Sequence, residues 1–229
     1  MEELFNKYNL IVSKSQAEKF KKYYELLLEY NSKFNLTAIT DEKEVYIKHF
    51  IDSILVVDKF ITSKNLSMID VGSGGGFPAI PVKIMREDIN LTLLEATGKK
   101  CEFLKAVVKE LDLKNVQIIN DRAELLAKNS EYREKFSICT ARAVARLNSL
   151  CEYCMPFVKV GGTFAAYKGD AEEEILEAKT AVKILGGEID ENYVYELDGA
   201  KRTLVKIKKI KSTPEKYPRG NGKERKNPL

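Results

Sequence analysis

Residues 68–78, "MIDVGSGGGFP", put an apolar run and an acid, Asp70, directly in front of four glycines within five positions. The run "LSMIDV" reads as a buried strand, the glycines as a turn at its carboxyl end, and Ile80 to Met85 as the helix that follows. In an open α/β sheet ligands sit outside the carboxyl ends of the strands, and glycine lets the backbone approach them closely. The loop from Gly72 to Gly76 is therefore the leading site candidate.

Downstream the pattern repeats. "INLTLLEA" is a second strand followed by a helix from about Lys99 to Leu111, "NVQIIND" a third strand and "FSICTARAV" a fourth. A helix from Leu147 to Val158 then leads through a turn at Gly161-Gly162 into "TFAAYKG", a fifth. Strands alternating with helices at this spacing predict a parallel, doubly wound sheet with right-handed crossovers. After a helix over 171–185 and the turn Gly186-Gly187, "EIDENYVYEL" and "KRTLVKIKKI" alternate in polarity and predict an antiparallel pair. Upstream, apolar residues at Phe20, Tyr23, Tyr24, Leu27, Tyr30 and Phe34 recur at helical spacing, and a second helix starts at "TDEKE" with Thr40 or Asp41 as its cap. The first sixty residues thus form a helical preamble that packs on something else.

Composition narrows the classes further. The 229 residues are 44% hydrophobic and 31% charged, as in ordinary globular proteins, and no apolar stretch approaches bilayer length. The start "MEELFNKYNL" lacks the basic-then-apolar pattern of a signal peptide, so a cytoplasmic protein is expected, and a monomer. Cys101, Cys139, Cys151 and Cys154 are expected to be thiols, because the CxxC at 151–154 has no second pair of ligands and the one histidine, His49, is far away in the chain. Of the 38 Lys and Arg, eleven lie at or beyond Lys201, against two of the 34 Asp and Glu, so an acidic body ends in a strongly basic segment. Such an end meets a polyanion or is merely solvated, and the stretch after Ser212, rich in Pro, Gly and charge, would not fold alone.

The loop's ligand follows by elimination. No Gly-Lys-Ser/Thr follows the glycines, which removes a nucleoside triphosphate. A dinucleotide fingerprint wants glycine at position 77, where the chain has Phe77. What remains is GxGxG at Gly72, Gly74 and Gly76, with Asp70 before it and Glu95 at the end of the second strand, where a carboxylate can accept both hydroxyls of a ribose. S-adenosylmethionine fits: its amino-acid end lies against the loop, Glu95 takes the ribose, and Asp70 complements positive charge. The open alternatives are a methyltransferase for another RNA, a protein or a small molecule, and a non-enzymatic RNA-binding protein.

The chain resembles one family closely, on "NLTAITD" (35–41) with "HFIDSI" (49–54), "IDVGSGGGFPAIP" (69–81), "LLEATGKKCEFL" (93–104), "DRAEL" (121–125), "ARAVARL" (141–147), "GGTFAAYKG" (161–169), and the end "STPEKYPR" with "NPL". It is the bacterial small-subunit rRNA guanine-N7 methyltransferases, also called glucose-inhibited division protein B. The resemblance implies a class I (Rossmann-like) methyltransferase sheet over residues 64–211, a helical extension over 1–63 and a basic tail over 212–229. It also implies S-adenosylmethionine as donor and a guanine of 16S rRNA, in the small ribosomal subunit or a precursor, as acceptor. By matching motif, Gly72, Phe77, Ala123, Glu124 and Arg142 would contact the donor. "GNGKERKNPL" is richer in charge and poorer in proline than the family's usual ending.

The chemistry suits the missing residues. Guanine N7 carries a lone pair and no proton, so its attack on a sulfonium methyl needs orientation and no general base. There is no Asn/Asp-Pro-Pro-aromatic clamp for an exocyclic amine and no Pro-Cys nucleophile for a pyrimidine ring. Arg142, Lys168 and His49 are the candidates for positioning the acceptor. RNA contacts are expected from Arg146, Lys168, Lys208, Lys209, Lys211, Lys216, Tyr217 and Arg219, with Tyr217 as a stacking face beside phosphate-binding charges. His49, Asp52 and Ser53 within one helical turn cannot form a hydrolase relay.

Overall fold

The computed structural model describes residues 2–229. One seven-stranded sheet organises it, with order β3-β2-β1-β4-β5-β7-β6. The strands are β1 (Ser67–Val71), β2 (Asn90–Glu95), β3 (Val116–Asn120), β4 (Phe136–Arg142), β5 (Val158–Lys168), β6 (Gly187–Leu197) and β7 (Ala200–Lys209). The first five are parallel, and β7 inserts antiparallel between β5 and β6. The reversal at the end is made by Asp198-Gly199, both at positive φ, which the twist of a tight hairpin requires. The sheet therefore has the α/β order expected, with one local difference. Gly161 and Gly162 are not a turn before β5 but lie inside it, where Val158 pairs with Phe136 and the register then slips before Thr163 pairs with Ile138. The glycines let the strand bulge; a Cβ at Gly162 would sit 2.7 Å from the Ser137 carbonyl.

Parallel strands are buried on both faces, and their side chains alternate between two cores. Met68, Leu91, Leu93 and Ile138 face one; Ile69, Val71, Leu94 and Cys139 face the other. The first core is covered by α1 (Glu2–Lys7), α2 (Lys14–Asn31), α3 (Glu42–Val45) with the π-turn Tyr46–Ile51 and α4 (Asp52–Ile54) that continue it, α5 (Ala79–Met85) and α6 (Gly98–Glu110). The second holds α7 (Ala123–Leu126), α8 (Leu147–Cys154) and α9 (Glu172–Ile184). Ser13 caps α2 in a full capping box with Gln16, and Asp41, one of the two expected caps, accepts from the Glu44 amide at 3.0 Å.

The preamble packs on the loop itself. Tyr23 of α2 stacks on Phe50 and on Phe77, and its hydroxyl donates to the Gly75 carbonyl. All four cysteines are free, buried thiols.

The largest departure from expectation is the end of the chain, which is a docked strap. After β7 it crosses from the sheet end remote from the glycine loop back along α8. Thr213 is held by Glu134 and Leu185, Arg133 donates to the carbonyls of Thr213, Pro214 and Tyr217, and α10 (Lys223–Lys226) closes on the start of α8, where Ser149 donates to the Glu224 carbonyl at 2.6 Å.

Candidate functional site

The carboxyl ends of β1, β2 and β4 open onto two cavities. The first, of about 390 Å³, is lined among others by Val71, Gly72, Leu94, Glu95, Ala123 and Glu124. Glu95 closes its floor: its two carboxylate oxygens accept from the Gly74 amide (2.9 Å) and the Thr97 amide (2.8 Å), so the side chain fixes the loop. A carboxylate has about four lone-pair sites, so two acceptors stay available to a ligand. Two glycines are required by their surroundings. Gly72 has φ +72° and an added Cβ would lie 2.8 Å from Val144; Gly76 has φ +88° and one would lie 2.5 Å from the Tyr23 hydroxyl.

Asp70 sits beneath the loop, not on the cavity wall, with 1% of its surface exposed. Thr140 donates to one oxygen at 2.7 Å, and the other has no partner. Burial pushes its carboxyl up to about 7; the Thr140 hydrogen bond and the Arg142 charge offset only part of that, and the Ser73 hydroxyl donates to the Asp70 backbone carbonyl.

The second cavity, of about 380 Å³, is lined by His49, Asp52, Arg142, Lys168 and Arg202 among others, and it shares Ala143 with the first. Arg142, at the end of β4 and half-buried, pairs with the buried Asp52 (2.9 Å) and also donates to the Lys48 carbonyl (3.2 Å). Asp52 is in turn held by the Tyr195 hydroxyl at 3.0 Å, with Arg202 at 3.6 Å. His49 lies on the π-turn, a local widening that recurs at functional sites. It stacks on Phe77 with ring centroids 4.5 Å apart, and the Arg142 guanidinium lies 5.1 Å from the same ring. Its Nδ1 lies 3.1 Å from the Lys48 carbonyl and 3.3 Å from the Arg142 guanidinium, and its Nε2 lies 2.9 Å from the Thr37 hydroxyl. Burial, then the Arg142 charge, lower its pKa to about 4, which keeps the ring neutral at pH 7.

The expected site residues thus divide. Gly72, Glu95, Ala123 and Glu124 line the first cavity, Arg142, His49 and Lys168 the second. Asp70, Gly74, Gly76 and Phe77 line neither and shape the loop between them. Lys168 donates to the Ala145 carbonyl and pairs with Glu174; Arg146 is exposed and pairs with Glu177.

Several expected RNA contacts are corrected by their surroundings. Lys209 is 1% exposed and donates to the Met155 carbonyl beside Glu134, so it is a core ion. Tyr217 is buried and offers no stacking face. Arg219 grips Glu152, itself 0% exposed, through paired bonds of 2.7 and 2.9 Å, which occupies the guanidinium. Lys208, Lys211 and Lys216 are exposed, but Lys208 lies opposite Thr163, in the middle of β5, whereas Lys168 at the cavity lies opposite Thr203. Besides Arg142 and Lys168, the cations at the cavity are Lys48 and Arg202, for which the sequence carries no signal.

Comparison with known proteins gives the same grouping. Residues 16–205 match the GidB family, described as rRNA small subunit methyltransferase G. The chain is 49% identical over 216 residues to the ribosomal RNA small subunit methyltransferase G of Acetivibrio thermocellus, covering 93% of this chain and 89% of that one. It is 45% identical over 230 residues to the protein of the same name from Staphylococcus aureus strain Newman, covering 99% and 96%. Among solved structures it is similar to a SAM dependent methyltransferase from Aquifex aeolicus (TM-score 0.54, 16% identity, 73% of this chain and 93% of that one). It is likewise similar to M. jannaschii TYW2 in complex with AdoMet (TM-score 0.51, 16% identity, 69% and 77%). The structural likenesses show the class I methyltransferase fold, and no helix among the described residues is long and apolar enough to cross a membrane. With a match over most of its length and relatives this similar across nearly the whole chain, the protein belongs to the GidB family of small-subunit ribosomal RNA methyltransferases.

Proposed function

We propose that the protein methylates N7 of a guanine in 16S rRNA, with S-adenosylmethionine held in the first cavity and the guanine presented through the second. The observation that carries this reading is that the two cavities meet at Ala143, beyond the end of β4, so a donor and an acceptor can face each other across one residue.

The residues fit the donor. A volume of about 390 Å³ suits a nucleoside-sized ligand, Val71, Leu94, Ala123 and Val144 give apolar walls, and the free lone pairs of Glu95 match a ribose diol. Bound there, S-adenosylmethionine supplies an electrophilic methyl group. The chain's own residues have only to orient the base. Arg142, its guanidinium fixed by Asp52 and Lys48, keeps further N–H donors for an acceptor such as guanine O6, which leaves N7 unobstructed. His49 is neutral and packed on Phe77, so it adds no charge to a site where the product base becomes cationic. Lys48 and Arg202 at the rim are placed to meet phosphates.

The test uses small-subunit rRNA from cells lacking the activity, with methyl-labelled donor, followed by reduction and strand scission at N7-methylguanine. One labelled guanine, cleaved by that chemistry, is expected. Label at an exocyclic or ribose position, or none in rRNA or in small subunits, refutes the proposal.

A further inference from the structure

The first cavity has a wall that the glycine motif does not supply. Gly222 and Arg225, both on the C-terminal strap, line it together with Val144 and Tyr153. The strap is fixed there from two sides: Arg219 is locked on the fully buried Glu152, and the buried Glu224 accepts from the Gly220 amide.

Arg225 is the cation at the loop end of the cavity. Its Nη2 donates to the Val144 carbonyl at 3.1 Å, and Val144 is the residue that an added Cβ on Gly72 would strike at 2.8 Å. Its guanidinium forms no ion pair among the described residues, whereas Arg219, six residues earlier on the same strap, is saturated by its carboxylate. The other cations on the wall lie elsewhere. Arg122 is paired with Glu124 beside Ala123, and Lys100 is in the first turn of α6, which follows Glu95 at the end of β2. They flank the ribose side; Arg225 flanks the glycine-loop side.

Resting on the donor reading above, we infer that Arg225 binds the carboxylate of the donor's methionine part, so that the C-terminal strap is a component of the donor site. An unpaired guanidinium with open donors next to Gly72 matches an anionic carboxylate at that end, and the adenosine end is served without it.

Calorimetry on the full-length protein with two ligands tests this: S-adenosylhomocysteine, which carries the carboxylate, and 5′-methylthioadenosine, which lacks the amino-acid part. Arg225→Ala is expected to weaken S-adenosylhomocysteine about tenfold, the scale of one charged hydrogen-bonded contact at a partly exposed site, and to leave 5′-methylthioadenosine within about twofold. Arg225→Lys should recover part of the loss. Equal weakening of both ligands would mean that the strap only props the wall, and unchanged affinity for both would mean that Arg225 does not touch the donor; either overturns the inference. If the unaltered protein binds neither ligand, the donor reading itself fails, which is a different result.

Discussion

Asp70→Asn isolates the energy stored under the glycine loop. The Asp70 carboxyl is pushed up to about 7 from an ordinary 3.8, chiefly by burial, and one of its oxygens has no partner. The sign follows from proton counting. Below pH 4 the group is protonated in both folded and unfolded chains and contributes no difference. Between about 4 and 7 the folded chain holds a proton that the unfolded chain has released, so stability falls as pH rises, by up to about 1.4 kcal/mol per unit. Above 7 both are ionised and the full cost remains, on the order of 4 kcal/mol for a shift of this size. Asparagine has the same shape and does not titrate; any cost of its unpaired amide, about 1–3 kcal/mol, is constant with pH. Urea unfolding of both proteins without ligand, from pH 4.5 to 8.5, should show the difference in stability moving toward the variant by about 3–4 kcal/mol across that range. All other titrating groups are common to both chains and cancel to first order. A difference flat with pH would refute the reasoning and mean that the carboxylate finds a partner beneath the loop.

Other consequences are as direct. Arg219→Ala leaves Glu152 buried and uncompensated and should cost about 3 kcal/mol in urea unfolding, with Arg219→Met plus Glu152→Leu recovering much of it; an unchanged stability with weakened RNA binding would restore the phosphate-contact role that the structure removes. Gly76→Ala adds a Cβ 2.5 Å from the Tyr23 hydroxyl and 2.6 Å from Ile80 at positive φ, and should cost about 3 kcal/mol, whereas Gly74→Ala, where the nearest atom is 3.8 Å away, should cost about 1 kcal/mol; equal losses in thermal melts would count against the packing account. Asp52→Asn removes the charge that holds Arg142 and should slow single-turnover methyl transfer about 10- to 100-fold while S-adenosylhomocysteine affinity stays within about twofold, since neither residue lines the first cavity, where the donor is proposed to bind. A matching loss of affinity would place Arg142 on the donor instead.

What the sequence revealed and what it concealed differ in range. The strands, the helices between them and the antiparallel pairing at the end follow from local periodicity and backbone preference, and those signals lie within ten or so residues of each other. Glu95 was legible for the same reason, because a carboxylate at the end of a strand after a glycine loop has one open direction. The second cavity was legible only in part: His49 and Arg142 are chemically conspicuous, but the pairing of Arg142 with Asp52, and of Asp52 with Tyr195, joins residues 90 and 143 positions apart that no spacing connects. The tail was misread because its composition is that of a solvated polycation. Composition counts charges and does not pair them; Arg219 and Lys209 find Glu152 and Glu134 inside the fold, and each pairing converts a residue apt for phosphate into one that anchors the chain. A basic segment that carries Tyr-Pro-Arg and a lone Glu224 amid lysines differs from a simple tail in that it contains groups worth burying. Once Tyr217 and Glu224 are inside, the segment is anchored along α8, and Arg225, its guanidinium without an ion pair among the described residues, lines the first cavity.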